Sequence, residues 1–418
     1  MADVQPLRAL HYDPSVAGPL ADVVAPPYDV IDADQRAALI ARSPFNVVAV
    51  DLPQGEPDPY AAAGETFAAW QREGVLVRDS EPAIWAYTQD YRGPDGVPRT
   101  RRGFFCRVRI EGYGAGRVRP HERTHPGPKE DRLRLTRATR ANISPIFSLY
   151  SDPSHLAWEA LAPSLGQPPW GEVSDAEGTV HRIWRVADPG AIAAVQAATG
   201  DSELLIADGH HRYETMRDYA DEVGGDGEHR YILMCLVALE DPGLTVYPTH
   251  RLVRGLDDER RVALGDALER DFDMEEVALD EIAPSPGTGL LQLGYVNGRD
   301  QRVHRLTLKD QSIADAALAG HSEAYRRLDT GILEALVLKG ALGLSDEDIS
   351  HFNGLFYARN TGEAVAMVRS GAYDAAFLMR PTPVAQVQEI AAAGENMPPK
   401  STFFFPKLLT GLLFNPLA

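Results

Sequence analysis

Residues 202–223, SELLIADGHHRYETMRDYADEV, contain the clearest structural unit in the chain. A short apolar run from Glu203 to Ala207 predicts a buried strand, and the stretch that follows predicts a helix. A sharp polar turn, Asp208-Gly209-His210-His211-Arg212, joins the two. Because strand patterns alternate with helical patterns along the rest of the chain, we expect an α/β fold, or the related α+β arrangement.

This turn combines features that favour an anionic ligand. A helix N-terminus has unpaired backbone N–H groups and a partial positive charge, which attract phosphate. Gly209 allows close backbone approach, the two histidines add donors, and Arg212 can bind phosphate through two hydrogen bonds. The Asp208 carboxylate could hold Mg²⁺ or orient a hydroxyl. The alternative is an ordinary turn in which Asp208 caps the helix and the histidines bond nearby backbone.

A basic island lies between Arg117 and Arg140. It has eight Lys or Arg and three acidic residues, so its net charge is +5 in a chain of net charge −19. Local positive charge of this kind can attract an anion to an acidic protein. The alternative is a solvated helix face with mixed ion pairs.

His121 to His125 matches the H-E-x-x-H pattern of zinc proteases. That pattern binds zinc only when both histidines project from one face of a helix. Pro120 precedes the motif, and Pro126 and Pro128 follow it, so we expect no continuous helix there. We therefore reject the zinc-protease interpretation.

Lysine is rare in this chain, because only five of its 41 cationic residues are Lys. Three of the five fall in the basic island or in PPKSTFFFPK (398–407), where a compact ammonium group would suit a phosphate. The second segment resembles the end of a P-loop, but the upstream glycines of that motif are missing. The candidate phosphate ligands in the two regions are Lys129, Arg132, Lys400, Ser401, Thr402 and Lys407.

Composition narrows the class of protein. The chain has 418 residues, 44% hydrophobic and 24% charged, which is typical of a globular protein of two or three domains. Its acidity argues against nucleic acid and anionic membranes as general partners. No signal-peptide pattern and no long apolar run is present, so we expect a cytoplasmic protein. Two cysteines, Cys106 and Cys235, cannot form a disulfide framework or a cysteine-based zinc site.

Several other elements can be predicted from local patterns. Aromatic and β-branched runs on both sides of Gly-Pro-Asp-Gly predict a hairpin over residues 84–110. The apolar run at 46–53 predicts a buried strand, and helical spacing predicts helices over 257–270 and 314–342. A second hairpin is expected over 289–308.

The pattern of elements changes near residue 256. We therefore expect one unit over residues 1–255 and a second α/β unit over 256–418. The segment 396–418 is too apolar for a loose tail, so we expect it to pack back on the core.

Longer motifs extend from residue 23 to residue 414 and so cover nearly the whole chain. They are VVAPPYDVI (23–31), NVVAVDLP (46–53), HERTHPGPKEDR (121–132), NISPIFSLY (142–150), IADGHHRYET (206–215), YPTHRLV (247–253) and PPKSTFFFPKLLTGLLF (398–414). Together they resemble the domain-of-unknown-function family numbered 1015, which has no settled activity.

The Asp208–Arg212 turn is also similar to the phosphate turn of the ParB/sulfiredoxin superfamily, above all to that of the free serine kinases. The resemblance implies a ParB/sulfiredoxin-like N-terminal unit with insertions, whose turn holds phosphate. It also implies a glutamate base for the serine hydroxyl, for which Glu122 is the candidate. Sulfiredoxin chemistry is disfavoured because His210 stands where a cysteine belongs. A ParB-type role on DNA is disfavoured by the charge of −19.

The leading hypothesis is a nucleotide-dependent phosphotransferase that acts on a small hydroxyl substrate such as serine, with ATP or ADP and Mg²⁺ as cofactors. Two alternatives use the same anion pocket: a regulatory protein that binds a nucleotide or phosphometabolite without turnover, and a phosphate-ester hydrolase. The candidate residues of the turn and the base are Glu122, Asp208 and His210 as catalytic groups, Asp208 as metal ligand, and Gly209, His211 and Arg212 as nucleotide ligands.

Overall fold

A computed structural model of the chain describes residues 2–114, 116–122, 124, 126–285, 287 and 289–418. The chain forms two compact units. The first contains residues 1–120, 124–245 and 406–418, and the second contains 121–123 and 246–405. The α/β class predicted from the sequence is confirmed. The domain boundary after residue 255 stays a prediction, because a compact unit need not be one that folds alone.

Strands occur along the whole chain. They are β1 (Val4–Gln5), β2 (Leu10–Tyr12), β3 (Leu76–Arg78), β4 (Ile84–Arg92), β5 (Pro98–Arg109), β6 (Val118–Arg119), β7 (Ala141–Asn142), β8 (Ile146–Tyr150), β9 (Gly171–Ser174), β10 (Val180–Val186), β11 (Leu204–Asp208), β12 (Tyr231–Ala238), β13 (Thr245–Tyr247), β14 (His250–Val253), β15 (Phe272–Glu276), β16 (Gln292–Asn297), β17 (Val303–Leu308), β18 (Leu355–Ala358), β19 (Ala375–Leu378), β20 (Phe403–Phe405) and β21 (Asn415–Pro416).

Helices alternate with these strands. They are α1 (Pro14–Ala17), α2 (Leu20–Val23), α3 (Ala33–Arg42), α4 (Val48–Asp51), α5 (Pro59–Arg72), α6 (Pro126–Thr139), α7 (Leu156–Leu161), α8 (Pro189–Thr199), α9 (His210–Val223), α10 (Asp258–Asp271), α11 (Gln311–Ala317), α12 (Glu323–Arg326), α13 (Asp329–Leu333), α14 (Asp346–Ser350), α15 (Thr361–Arg369) and α16 (Val384–Ala392). A π-helical stretch, Glu334–Lys339, follows α13.

A mixed sheet forms the centre of the first unit, in the order β6-β11-β8-β12-β5-β4-β10-β9, with β1 paired to β5. The β6–β11 and β8–β12 pairs are parallel, and the other neighbours along this order are antiparallel. The predicted hairpin is confirmed as β4 and β5, in which Trp85 pairs with Phe105. The sheet brings the end of β11 beside β8, so that Asp208 pairs with Phe147.

The segment 406–418 belongs to the first unit. Its strand β21 pairs with β7, where Asn415 lies opposite Asn142. Thr410 and Phe414 form isolated bridges with Ala25 and Leu10. Residues distant in sequence therefore complete the core around the sheet.

The second unit contains an antiparallel sheet in the order β15-β17-β16-β19-β14-β18. The predicted hairpin around Asn297-Gly298 is confirmed as β16 and β17. Helix α15 contributes Ala364, Val365 and Val368 to the apolar cluster on this sheet. Helix α10 confirms the helix predicted over 257–270.

The strand predicted at 46–53 is wrong, because this segment forms the short helix α4. Asn46 explains the difference. Its side-chain amide donates to the backbone oxygens of Asp22 (2.8 Å) and Val24 (3.1 Å) and accepts from the Val48 amide at 3.0 Å. These contacts start a helical turn, which buries the same apolar residues that a strand would bury.

The single long helix predicted over 314–342 is also wrong. The chain forms α11, α12, α13 and the π-helical stretch in this region. Ser322 ends the first interruption by capping α12, since its hydroxyl accepts from the Tyr325 amide. The apolar residues keep a helical spacing through this region, but two new helices, α12 and α13, start within it.

Cys106 and Cys235 are buried and unpaired by any disulfide within the described residues. Burial raises the pKa of the Cys235 thiol to about 12, so this group behaves as an apolar core atom. Throughout the described ranges, no helix has the length and apolar character required to cross a membrane.

Candidate functional site

The turn singled out in the sequence joins β11 to α9 as predicted. The strand ends at Asp208, Gly209 adopts the left-handed conformation with φ of 100°, and the helix begins at His210. The N-cap residue of this helix is Gly209, which has no side chain to cap it. The positive end of a helix that extends to Val223 therefore lies at the turn.

Gly209 is required at this turn for two reasons. Its positive φ disfavours other residues. A Cβ atom added there would also lie 2.9 Å from Ile146 Cδ1 and 3.1 Å from Arg212 Cζ. The close approach of the backbone to these side chains fixes the geometry of the turn.

We expect Gly209→Ala to lower the free energy of unfolding by about 1–3 kcal/mol more than Gly74→Ala, because of overpacking. Gly74 lies just after α5 with φ of 74°, and no described atom lies within 4 Å of a Cβ added there. Both variants place a Cβ at a positive φ, so their difference reports the contacts of Gly209. Urea unfolding of both variants measures it, and equal losses would contradict the crowding argument.

Asp208 lies between two cations. The Lys407 ammonium donates to its Oδ1 at 2.5 Å, and Arg212 Nη2 donates to its Oδ2 at 2.6 Å. Arg212 is itself anchored by a hydrogen bond from Nη1 to the Pro145 carbonyl. One carboxylate and two cations leave a net positive charge beside the helix N-terminus.

The pKa of Asp208 lies well below its ordinary range. Burial alone would raise the pKa, but Lys407 and Arg212 outweigh it, and His210 lowers it further. His210 is buried in the first turn of the helix, while His211 is half-buried. Asp208 is therefore a carboxylate at neutral pH and cannot accept a proton readily there.

We expect Asp208→Asn to lower the free energy of unfolding at pH 7 by about 1.5–3 kcal/mol, because both cations lose a charged acceptor. A depressed pKa in the folded state stabilises the protein above the unfolded pKa, which is about 3.9 for Asp. The difference between wild type and variant should hold from pH 7 to 5. It should shrink as the pH falls below about 4. Urea unfolding of both proteins across this range tests it, and a difference that shrinks near pH 6 would contradict the assigned ion pairs.

Arg132 is buried in α6 and has its own acidic partners. Its Nη1 lies 2.9 Å from Asp51 Oδ1, its Nη2 lies 2.6 Å from Asp131, and its guanidinium stands 4.1 Å over the Tyr28 ring. Ser144 donates to the second Asp51 oxygen at 3.3 Å. The charge of Arg132 is thus compensated inside the protein, which argues against direct phosphate binding.

Asp51 was missed in the sequence because it ends an apolar run that predicted a strand. Its position in buried helix α4 gives it a structural role opposite Arg132. A cavity of about 40 Å³ lies beside this pair and is lined in part by Ser144 and Arg212. It has room for water, whereas ligand pockets begin at about 300 Å³.

Lys129 also has acidic partners. Its ammonium lies 3.1 Å from Glu214 and 3.6 Å from Asp218, both on α9. Thr124 donates to the same Glu214 oxygen at 2.5 Å. These contacts join α6 to α9. The acidic partners of Lys129 are thus Glu214 and Asp218 rather than Asp208.

The remaining candidates lie in the second unit. Glu122 forms a bridge with Met397, whose amide donates to the His121 carbonyl at 2.8 Å. The His121 ring lies 3.0 Å from the Thr402 hydroxyl. The second unit therefore brings Glu122 close to the PPKST segment.

The PPKST segment has a fixed backbone. The hydroxyl of buried Ser401 lies 2.8 Å from that of Thr330 and donates to the Pro398 carbonyl at 2.7 Å. Lys400 is exposed and adopts φ of 57°, which is unusual for a residue other than glycine. The hydrogen bonds of Ser401 hold the backbone of this turn, at which Lys400 is exposed.

The H-E-x-x-H pattern does not form a helix in the part that is described. His121, Glu122 and Thr124 lie outside any helix, and α6 begins at Pro126. Arg123 and His125 lie outside the described residues. The zinc geometry that the pattern requires is therefore not present in the described positions.

Mg²⁺ does not fit Asp208 as a site held by the protein alone. Both oxygens of this carboxylate already accept from cations. No group of three or more His, Cys, Asp or Glu that could hold a metal occurs within the described residues. Mg²⁺ usually keeps several waters and binds through substrate phosphates as well as one or two carboxylates.

The protein therefore has an α/β fold in which a strand-to-helix turn carries one carboxylate, Asp208, and two cations, Arg212 and Lys407. The chain belongs to the family described as "Protein of unknown function (DUF1015)", whose model matches residues 4–331. This match confirms the family resemblance over residues 4–331, which include every quoted motif except the one at 398–414. No curated protein matches the chain.

Three solved structures are similar to this chain at low identity. A free serine kinase in complex with AMP is 14% identical, with a TM-score of 0.36, over 71% of this chain and 89% of that one. A conserved hypothetical protein from Pyrococcus furiosus is 14% identical, with a TM-score of 0.36, over 71% and 92%. SbnI from Staphylococcus aureus, truncated at its C-terminus, is 10% identical, with a TM-score of 0.37, over 70% and 82%.

Proposed function

We propose that this protein is a nucleotide-dependent phosphotransferase that acts on a small hydroxyl substrate such as serine. The observation that supports it is the Asp208–Arg212 turn, where Arg212 and Lys407 flank one carboxylate at the start of α9. Phosphoryl transfer depends chiefly on positioning and on neutralising charge. A net positive helix N-terminus supplies both.

Each residue of the turn has a proposed part. Gly209 lets a phosphate approach the backbone, and His210 and His211 add to the donors of the first helical turn. Arg212 and Lys407 neutralise charge on the phosphate that is transferred. Asp208 holds these two cations in place and orients the hydroxyl as an acceptor. Its low pKa makes it unsuitable as a general base.

Glu122 is the proposed base. In this role its carboxylate accepts the proton of the substrate hydroxyl as the oxygen attacks phosphorus, while the bond from phosphorus to the bridging oxygen breaks and the shortened nucleotide leaves with that oxygen. Lys400, Ser401 and Thr402 belong to the same unit and remain candidate ligands beside it. Lys129 and Arg132 now have a supporting role, because acidic partners neutralise both. ATP or ADP is the proposed phosphate donor, and Mg²⁺ would accompany its phosphates.

A nucleotide-binding protein without turnover is the second candidate. The specific observation in its favour is that Asp208 is paired with two cations, so the turn itself offers binding groups and no base. In this case a phosphate would bind in the same way, but Glu122 would have no part.

The decisive experiment incubates the purified full chain with ATP or ADP, Mg²⁺ and a panel of amino acids. Phosphorus NMR and mass spectrometry then detect a phosphorylated product. We expect phosphoserine or a related ester, with loss of product in Glu122→Gln and weaker nucleotide binding in Asp208→Asn. Calorimetric binding of nucleotide without product, unchanged in Glu122→Gln, would support the binding protein instead. Release of phosphate from phosphoserine without nucleotide would identify a hydrolase.

A further inference from the structure

Arg101 is an unusual buried cation in the first unit. It lies in β5 with 1% of its surface exposed, and no carboxylate lies within ion-pair distance of it among the described residues. Its Nε donates to Gln89 Oε1 at 2.9 Å, and its Nη2 donates to the same oxygen and to the Pro406 carbonyl. Its Nη1 is buried and has no hydrogen-bond partner in the described part of the chain.

Gln89 extends this hydrogen-bond network to Lys407, the residue after Pro406. Gln89 and Arg101 lie directly opposite each other on β4 and β5. The Gln89 amide Nε2 donates to the Lys407 carbonyl at 2.9 Å. Two paired side chains therefore hold the consecutive carbonyls of Pro406 and Lys407.

Burial of the Arg101 guanidinium destabilises the folded protein, because the charge loses its hydration. Burial lowers the pKa of Arg101, since the charged form loses water without gaining a carboxylate partner. Burying an ion costs solvation that only well-placed partners return. Core stability alone therefore does not explain a guanidinium at this position, whereas its fork geometry explains how Gln89 and Pro406 are held together.

The same strands connect this pair to the turn. The Arg101 guanidinium stands 4.5 Å over the Phe147 ring. Phe147 is the residue that pairs with Asp208 between β8 and β11. The side chain of Lys407, whose backbone is held by Gln89, reaches Asp208 at 2.5 Å. Both ends of the Lys407–Asp208 contact are thus fixed to one sheet.

We propose that Arg101, together with Gln89, is a positioning residue that holds the backbone at 406–407 and so directs the Lys407 ammonium to Asp208. The importance of this contact for phosphate transfer rests on the proposed function. The positioning itself does not depend on it, because it is a property of the folded chain without substrate.

Lysine NMR tests the positioning directly. The chain has only five lysines, so lysine labelled with ¹³C and ¹⁵N gives five side-chain signals, and Lys407→Met assigns one of them. In the wild type we expect the Lys407 ammonium to give a shifted, slowly exchanging signal because it is ion-paired. In Arg101→Met this signal should move to the position of a free lysine, as it should in Asp208→Asn.

Gln89→Glu provides a second variant that keeps Arg101 paired. Its carboxylate still accepts from Arg101 but can no longer donate to the Lys407 carbonyl, so the Lys407 signal should again move. Arg101→Lys should not restore it, because one ammonium cannot reproduce the fork. Arg102→Met is the matched control: Arg102 lies on the same strand and pairs with Asp241 at 2.8 Å, and its loss should leave the Lys407 signal unchanged.

The outcomes separate the two proposals. An unchanged Lys407 signal in both Arg101→Met and folded Gln89→Glu would overturn the positioning role. A moved signal in either variant with an unchanged Arg102→Met spectrum would support it, even if no phosphorylated product is ever found. If the protein does transfer phosphate, Arg101→Met and Lys407→Met should reduce kcat alike, and the double variant should be no slower than either.

Discussion

Replacement of Arg132 by Met is expected to lower the free energy of unfolding by about 3–5 kcal/mol, because the variant leaves the Asp51 carboxylate as a buried charge without its partner. Both side chains of this pair are nearly inaccessible, with 6% and 4% of their surface exposed. Burial already raises the pKa of Asp51 despite the nearby Arg132. Without Arg132, the hydrogen bond from Ser144 and the more distant charge of Arg212 would remain to stabilise the carboxylate. Urea unfolding at pH 7 measures the loss.

Arg134→Met is the control for this prediction. Arg134 lies two residues further along the same helix, but its contact with Asp58 is 3.5 Å long and half exposed, so we expect a change of about 0–1 kcal/mol. The double variant Asp51→Leu, Arg132→Met removes both charges and should recover part of the stability. Equal losses in Arg132→Met and Arg134→Met would show that the buried pair is not the cause.

Replacement of Lys407 by Met is expected to reduce the rate of the proposed phosphate transfer by roughly 10²–10³-fold, since one preorganised charged donor is lost. The effect should appear mainly in kcat if Lys407 neutralises charge that develops in the transition state. It should appear mainly in KM if Lys407 only binds the nucleotide. Steady-state kinetics on the product detected in the assay separates these cases.

Lys309→Met is the matched control. Lys309 is exposed, and its ammonium donates to the Glu269 carbonyl at 2.7 Å, in the second unit. We expect kcat and KM of this variant to equal those of the wild type. A Lys407→Met enzyme with wild-type kinetics would remove Lys407 from the proposed site. Lys400→Met tests the second lysine of the PPKSTFFFPK segment separately. This substitution should raise KM if Lys400 binds the nucleotide or the substrate, and should leave KM unchanged otherwise.

Local parts of the structure could be predicted from the sequence. The Asp208–Arg212 turn lies within a few consecutive residues, where the end of an apolar strand, a glycine and a helical period give a consistent pattern. The hairpin of β4 and β5 was equally local, since its turn residues stand between two alternating runs. In both places the side chains that decide the conformation are close in sequence.

The partners of the turn could not be predicted in this way. Lys407 is 199 residues from Asp208, and Asp51 is 81 residues from Arg132. The scarcity of lysine pointed toward Lys407, but it pointed equally toward Lys129, which pairs with Glu214 instead. Nothing in the local sequence distinguishes a lysine that contacts the turn from one that joins two helices. Only the register of the strands and the return of residues 406–418 make that choice.

The same limit applies to the elements that were predicted wrongly. Apolar residues at 46–53 are buried as expected, but tertiary hydrogen bonds of Asn46 favour a helical turn over a strand. Asp51 consequently lies on a buried helix, opposite Arg132. An apolar run shows that a segment is buried, and its surroundings decide the backbone that carries it.

Lys407 is synthesised much later than the Asp208 turn that its side chain contacts. The chain leaves the first unit after residue 245 and returns to it at residue 406. At about 5–20 residues per second, a ribosome needs roughly 8–30 s to synthesise the intervening segment. During that time the nascent chain has the Asp208 turn and Arg212 but neither Lys407 nor the strand that pairs with β7. The charge arrangement at the turn is therefore completed late in synthesis, after the ribosome has made the second unit.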